Sequence, residues 1–284
     1  MIYVSQGHEL GIGLEVFFRS LAFFSKPEQR KFTLIIETNE AKKYQAFLES
    51  TAIHLYTFKK SQKSLTAESL IIALEKIKAK DILITLPTSK DQLVINSTQH
   101  FGYTDFFRNQ FKTSLPMCFK FNHTYYAILT DHIPLKKVSD EIDLASTQEK
   151  IEVLRSGIHK YYGKLDDIYL MGLNPHCGER GLFGYEEEKI HFKVKNVNKV
   201  IPADAHHNHL DSNRKQLFIF NYHDQGLVAF KQIHGFLGIN ITFGMPFLRL
   251  SVDHGTNFGH YQKNISNISG IVYVMAEALR LQNI

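Results

Sequence analysis

The sequence predicts an α/β protein with mainly parallel sheet, and three observations carry that reading. Short apolar runs, among them residues 82–86 and Leu217-Phe218-Ile219-Phe220, have the length and composition of buried strands. Helix-like stretches at 41–48, 67–79 and 146–162 alternate with strand-like ones at 33–37, 53–58, 82–86 and Asp167–Met171, which is the pattern of βαβ units. One exception, Met117–Phe121 and residues 125–129 around Asn122-His123, reads as an antiparallel hairpin, and a change of domain is placed near it.

Composition narrows the classes. A chain of 284 residues holds one large or two ordinary domains. With 44% hydrophobic and 21% charged residues it is an ordinary folded protein rather than a disordered one. No apolar run approaches the ~18–20 residues needed to span a bilayer, so no membrane is expected. The opening MIYVSQGHELGIG lacks a basic region followed by a long apolar core, so no secretory signal is expected. Cys118 and Cys177 give no disulfide framework and fit a reducing cytoplasm. A net charge of +5 suits anionic small molecules. Lys and Arg are spread along the chain without a dominant block, so nucleic acid is not an expected partner.

The elements follow in order. Ile2 to Ser5 is a first strand, and the glycine-rich turn Gly7-His8-Glu9-Leu10-Gly11-Ile12-Gly13 leads into a helix reaching about Phe24. Such a turn can present N–H groups to an anion, but its spacing is not the G-x-G-x-x-G fingerprint. Leu86-Pro87-Thr88-Ser89-Lys90 ends a strand and is expected to open another helix. The helix at 146–162 is expected to start at a Ser146 cap with Glu149 three positions on. Residues 189–200 lack helical periodicity, so a crossover helix there is expected to be short or missing. Residues 266–282 form a last amphipathic helix.

The chemistry is concentrated in residues 222–256, which hold three His, two Asp, one Lys, one Arg and five Gly. The apolar strand before them places His223 and Asp224 at a strand's carboxyl end, where open α/β sheets build ligand sites. Lys231 and Arg249 add a flexible point charge and a planar fork, a pairing suited to phosphate and carboxylate. Eight of the fifteen histidines fall between His176 and His254. His206, His207 and His209, in one loop, are expected at the surface. His132, His176 and His223 each follow a strand, and their spacing makes sense only if three strand ends converge at one rim. Cys177, next to His176, is expected to point away from it.

These motifs resemble the 4-hydroxythreonine-4-phosphate dehydrogenase family of vitamin B6 synthesis. The resemblance rests on YHDQG (222–226), Lys231, INITFGMPF (239–247), Arg249 and SVDHGT (251–256). It extends to Gly172-Leu173-Asn174-Pro175-His176 with Gly178-Glu179, to Pro202-Ala203-Asp204, and to Thr130 with His132, Pro134 and Leu135. Earlier in the chain it is thinner. Lys90 and Thr104 match, but Tyr103 stands where the family has a substrate-holding histidine. The N-terminal glycine turn lacks the family's Asp-Pro-Ala core.

The resemblance implies a two-domain α/β/α fold of the isopropylmalate dehydrogenase type, with a cleft between domains. Residues 1–115 with 255–284 are expected to form the first domain, and 116–254 a second carrying the metal-ligand histidines. It implies a divalent cation (Zn, Mg, Mn or Co) on His132, His176 and His223, with ligands shared between the subunits of a homodimer. It implies NAD or NADP, with Asp253, His254, Gly255 and Thr256 as cofactor contacts. Tyr103, Thr104, Lys231, Asn240 and Arg249 are the implied substrate contacts, with Asp204 and Lys231 catalytic. The implied reaction oxidises and decarboxylates 4-phosphooxy-L-threonine to 3-amino-2-oxopropyl phosphate. Two alternatives stay open: a paralogue acting on threonate or erythronate 4-phosphate, and a non-catalytic binder of metal and phosphate.

Overall fold

In the computed structural model, residues 1–282 are described. Buried β1 (Ile2–Ser5) leads to α1 (Gly13–Ser20), which packs Leu14, Val16, Phe17 and Phe18 inward. A capping box of Ser25 and Glu28 starts α2 (Lys26–Gln29). Then come β2 (Phe32–Glu37), α3 (Thr38–Lys43), α4 (Gln45–Ser50), β3 (His54–Phe58), α5 (Leu65–Lys76) and β4 (Ile82–Thr85). The single helix expected over 41–48 is two, because Tyr44 leaves helical geometry (φ −105°, ψ 18°). No helix opens at Lys90 either. One 3-10 turn there leads to a two-residue ladder, β5 (Val94–Ile95) with β6 (Thr98–Gln99). Asn96 and Ser97, both at positive φ, make the reversal.

The chain continues through α6 (Tyr103–Phe111), β7 (Met117–Phe121), β8 (Thr124–Thr130), α7 (Val138–Glu141), α8 (Leu144–Tyr162) and β9 (Asp167–Met171). It ends with α9 (Glu186–Lys189), β10 (Lys199–Ile201), β11 (Gln216–Tyr222), α10 (His223–His234), β12 (Ile239–Thr242), β13 (Leu248–Val252) and α11 (Ser269–Gln282). The cap of α8 is Asp143, whose carboxylate accepts the Ser146 N–H, so the helix starts before the expected serine. None of the described helices is long and apolar enough to cross a membrane.

Two units emerge. The first is Met1–Lys112 with the chain from Met245 onward, and its strands run β13-β4-β1-β2-β3, all parallel. The second is Thr113–Gly244, ordered β10-β9-β11-β8-β7-β12. Its first three pairings are parallel, and the β7/β8 hairpin turns the remainder antiparallel. The chain rejoins the first unit at Met245 rather than at 255. The reason is β13, which pairs with β4 from Leu248↔Ile82 to Leu250↔Ile84.

The second unit has an aromatic core in which Tyr126 stacks on Phe220 (5.3 Å between ring centres) and meets Phe218 and Phe230. His206 belongs to it, against expectation. The 3-10 turn Ala203–His209 lays its ring edge-on to Tyr126, Phe218 and Phe220, and its Nδ1 donates to the Ala203 carbonyl (3.0 Å). His234, at the end of α10, stacks on Phe121 (4.6 Å). Burial lowers the pKa of both rings, so both fold neutral. The unfolded chain takes up those protons near its ordinary value of about 6.5. Their stability contribution is therefore complete above that pH and is lost as pH falls through it toward the lowered folded values. The urea midpoint is expected to be lower at about pH 5.5 than at about pH 7.5. The pH difference should shrink in the His206→Phe, His234→Phe double variant.

Candidate active site

Parallel pairing brings the key strand ends together. In the second unit β11 lies between β8 and β9, with Tyr222 opposite Thr130 and Ile219 opposite Leu170. His132 follows the end of β8, and His223 is the first residue of α10, directly after β11. Their rings lie 5.6 Å apart, tilted by 36°. His223 Nδ1 meets Asp224 Oδ1 at 2.6 Å. A carboxylate there fixes the tautomer and leaves Nε2 to bind a cation or accept a proton. Thr130, His132, Ile133, Tyr222, His223 and Asp224 line a cleft of about 300 Å³.

His176 sits on an unusual turn. From His176 to Gly181 every residue has positive φ: 52°, 54°, 77°, 42°, 56° and 88°. Four of them, His176, Cys177, Glu179 and Arg180, are not glycine, and each costs about 1–2 kcal/mol in that region. The His176 ring is exposed, 6.2 Å from Phe183. It is not brought to the His132–His223 pair. Among the described residues no three His, Cys, Asp or Glu side chains converge where one cation could sit. So one chain joins two of the three expected ligands.

The other expected residues of this unit are spread around it. The Cys177 thiol is raised first by burial and then by the Glu187 charge, with a smaller contribution from Asp204. That places exposed Asp204 beside the His176 turn. Lys231 is exposed on α10, roughly 12 Å along the axis from His223. Asn240 is half-buried in β12, opposite Phe119.

The first unit holds the remaining expected residues. Arg249, in β13, is 3% exposed. Its Nε and Nη2 donate to Thr85 Oγ1 at 3.0 and 2.8 Å, and its guanidinium carbon lies 5.2 Å from the centre of the Tyr103 ring. Burial lowers its pKa to about 10, so it stays cationic at neutral pH. The Tyr103 hydroxyl donates to the Leu86 carbonyl (3.1 Å), and burial raises its pKa. Its one proton is thus given to the protein, and its ring lies against Arg249. Thr104 is buried beside it at the start of α6.

The N-terminal glycine turn is used internally. The N–H groups of His8, Leu10, Gly11 and Ile12 donate to Pro87 O, His8 Nδ1, His8 O and Thr256 O. Those four groups are therefore not presented to an anion. A Cβ on Gly7 would lie 2.1 Å from Pro87 O, which accounts for that glycine. Thr256 is buried against this turn, Asp253 and His254 are half-buried, and Gly255 is exposed. Thr85, Asn221, Gln225 and Glu187 were not singled out from sequence. Asn221 and Gln225 flank Tyr222-His223-Asp224, and that adjacency was the available signal.

Known proteins resemble this chain in sequence and in fold. The family model described as "Pyridoxal phosphate biosynthetic protein PdxA" matches residues 18–281. A 4-hydroxythreonine-4-phosphate dehydrogenase of Hydrogenobaculum sp. is 36% identical over 51% of this chain and 47% of its own length. A Halalkalibacterium halodurans protein named as a D-threonate 4-phosphate dehydrogenase is 33% identical over 69% of this chain and 61% of its own. The matches thus span about half of the first relative and under two thirds of the second. A crystal structure of 4-hydroxythreonine-4-phosphate dehydrogenase from Klebsiella pneumoniae superposes with a TM-score of 0.77, covering 99% of each chain at 22% identity. At that identity the likeness speaks for the fold.

Proposed function

Because the chain belongs to the pyridoxal phosphate biosynthetic protein PdxA family, we propose that it oxidises and decarboxylates 4-phosphooxy-L-threonine to 3-amino-2-oxopropyl phosphate. The acceptor is NAD or NADP. The observation that carries this reading is the His132–His223 pair at 5.6 Å, with Asp224 on one ring.

Two imidazoles side by side, one oriented by a carboxylate, fit a divalent cation of the Zn, Mg, Mn or Co class. The donor set is incomplete in one chain, which supports a homodimer in which a second copy supplies His176. When bound, the cation would supply Lewis acidity and the nicotinamide a hydride acceptor. The chain's own residues do the rest. Arg249 is a dry, pre-oriented cation for the substrate's phosphate or carboxylate, with Thr104 beside Tyr103 as a further donor. Lys231 and Asn240 are the further substrate contacts implied by the family resemblance. Asp204, exposed beside the His176 turn, comes with His176 from the second copy and takes the hydroxyl proton. Asp253, His254, Gly255 and Thr256 form the cofactor loop. Neither cysteine is in a disulfide, which supports a reducing cytoplasm.

One observation favours a sugar-acid substrate. Tyr103 gives its hydroxyl proton to Leu86, so the contact the family makes through a histidine is missing. Reduced cofactor is measured with 4-phosphooxy-L-threonine, threonate 4-phosphate and erythronate 4-phosphate, before and after EDTA. Turnover of the first, lost with EDTA and restored by metal, is expected. Turnover of the sugar acids alone replaces the substrate assignment, and no cofactor binding by calorimetry turns the reading to a non-catalytic binder.

A further inference from the structure

Between β9 and β10 the chain holds the 3-10 turn Pro175–Gly178 that carries His176, then only α9 and the 3-10 turn His191–Lys193. The segment is short, yet two of its polar side chains are fully buried: Glu187 is 0% and His191 1% exposed. We propose that Glu186, Glu187 and His191 form a clamp that positions this chain's ligands for the cations shared between two copies: His223 for its own site and His176 for the second copy's. This rests on the metal reading above.

One grip is on the His176 turn. Glu187 Oε1 accepts the Asn174 N–H at 2.7 Å, and its Oε2 accepts the Asn174 side-chain amide at 3.0 Å. Glu186 Oε2 takes the same amide at 2.7 Å, while its Oε1 accepts the Ser139 hydroxyl at 2.7 Å. Asn174 stands two residues before His176. Gly178, inside the turn, has its backbone against the same carboxylate, since a Cβ there would lie 2.8 Å from Glu187 Oε2. The second grip is on the strand end before His223. His191 Nε2 donates to Asn221 Oδ1 at 2.7 Å, and the Asn221 amide donates to Met171 O at 2.9 Å, which settles its orientation. Gln225 accepts the Asn221 N–H and donates to Gly172 O at 2.9 Å. The ends of β9 and β11 are thereby tied to one another.

The need for such a clamp follows from the turn. Four non-glycine residues in left-handed geometry relax unless their surroundings hold them. Metal–nitrogen distances of about 2 Å tolerate little displacement of a ligand. Glu186, Glu187 and His191 are thus positioning residues, acting through Asn174 and Asn221.

The test is cobalt(II) titration of the full-length protein, followed by calorimetry and the visible ligand-field spectrum, with thermal unfolding of each metal-free protein. Glu187→Gln, Asn174→Ala and the surface variant Ser139→Ala are compared with His176→Ala. Glu187→Gln and Asn174→Ala are expected to weaken cobalt binding about 10–100-fold and to alter the spectrum. Ser139→Ala, which removes one outer prop, is expected to show a smaller weakening and to fold like the parent. If Glu187→Gln does not fold, the other two variants decide. If His176→Ala weakens binding while the folded clamp variants bind and absorb like the parent, the clamp is overturned. If His176→Ala itself binds cobalt as the parent does, the metal reading fails first and the clamp falls with it.

Discussion

His223→Ala is expected to lower kcat/KM by about a thousandfold or more while leaving the protein folded. The ring sits beside His132 with its Nδ1 held by Asp224, so it is the best-oriented member of the proposed ligand set. Losing a ligand exceeds the roughly 10–100-fold typical of losing a ligand's partner. Asp224→Asn is therefore expected to fall in that lower range. Stability should barely change. The His223 side chain is 40% exposed and begins a helix, so its removal leaves no buried void. Steady-state kinetics at saturating metal, with thermal unfolding of the same samples, check both halves. A folded His223→Ala enzyme with parental kcat/KM would falsify the ligand role.

Arg249 is expected to show opposite signs for activity and stability. The guanidinium is buried, forked onto Thr85 and stacked on Tyr103. Its lowered pKa, about 10, records the cost of desolvating it. An apolar side chain of similar reach removes that cost, so Arg249→Met is expected to match or exceed the parent in unfolding midpoint. Its kcat/KM is expected to fall about a hundredfold or more, mainly through KM, because a charge-assisted contact to the substrate is lost. Arg249→Lys should recover little of this, since an ammonium can neither fork onto Thr85 nor stack on Tyr103 in the same way. A large drop in the unfolding midpoint of Arg249→Met, with unchanged KM, would make Arg249 a structural residue only.

Much of this arrangement can be read from the chain. Leu217-Phe218-Ile219-Phe220 is apolar on both faces, so it had to be an interior strand, and His223 had to emerge at its end. The hairpin at Asn122-His123 and the loss of helix after Glu188 were legible for the same local reasons. What was not legible depends on partners distant in sequence. Nothing near His206 announces Tyr126 and Phe218, so a histidine-rich loop looked exposed. The direction of Tyr103 is set by the Leu86 carbonyl and Arg249. Helix 146–162 reads as capped at Ser146, but Asp143, further upstream, is the cap used. The clamp was invisible because Glu187 sits in a run of three glutamates that reads as a solvated surface.

The path of the chain also bears on its synthesis. β4 gains β13 as a neighbour only after Val252 has been made, although β1, β2 and β3 are complete long before. At about 5–20 residues per second, one edge of that early sheet waits on the order of ten seconds on the ribosome. An apolar strand edge left open that long is a template for mispairing. The nascent protein should accordingly depend on chaperone cover through the whole of its inserted unit, and a truncation before Leu248 should aggregate instead of folding to a smaller domain.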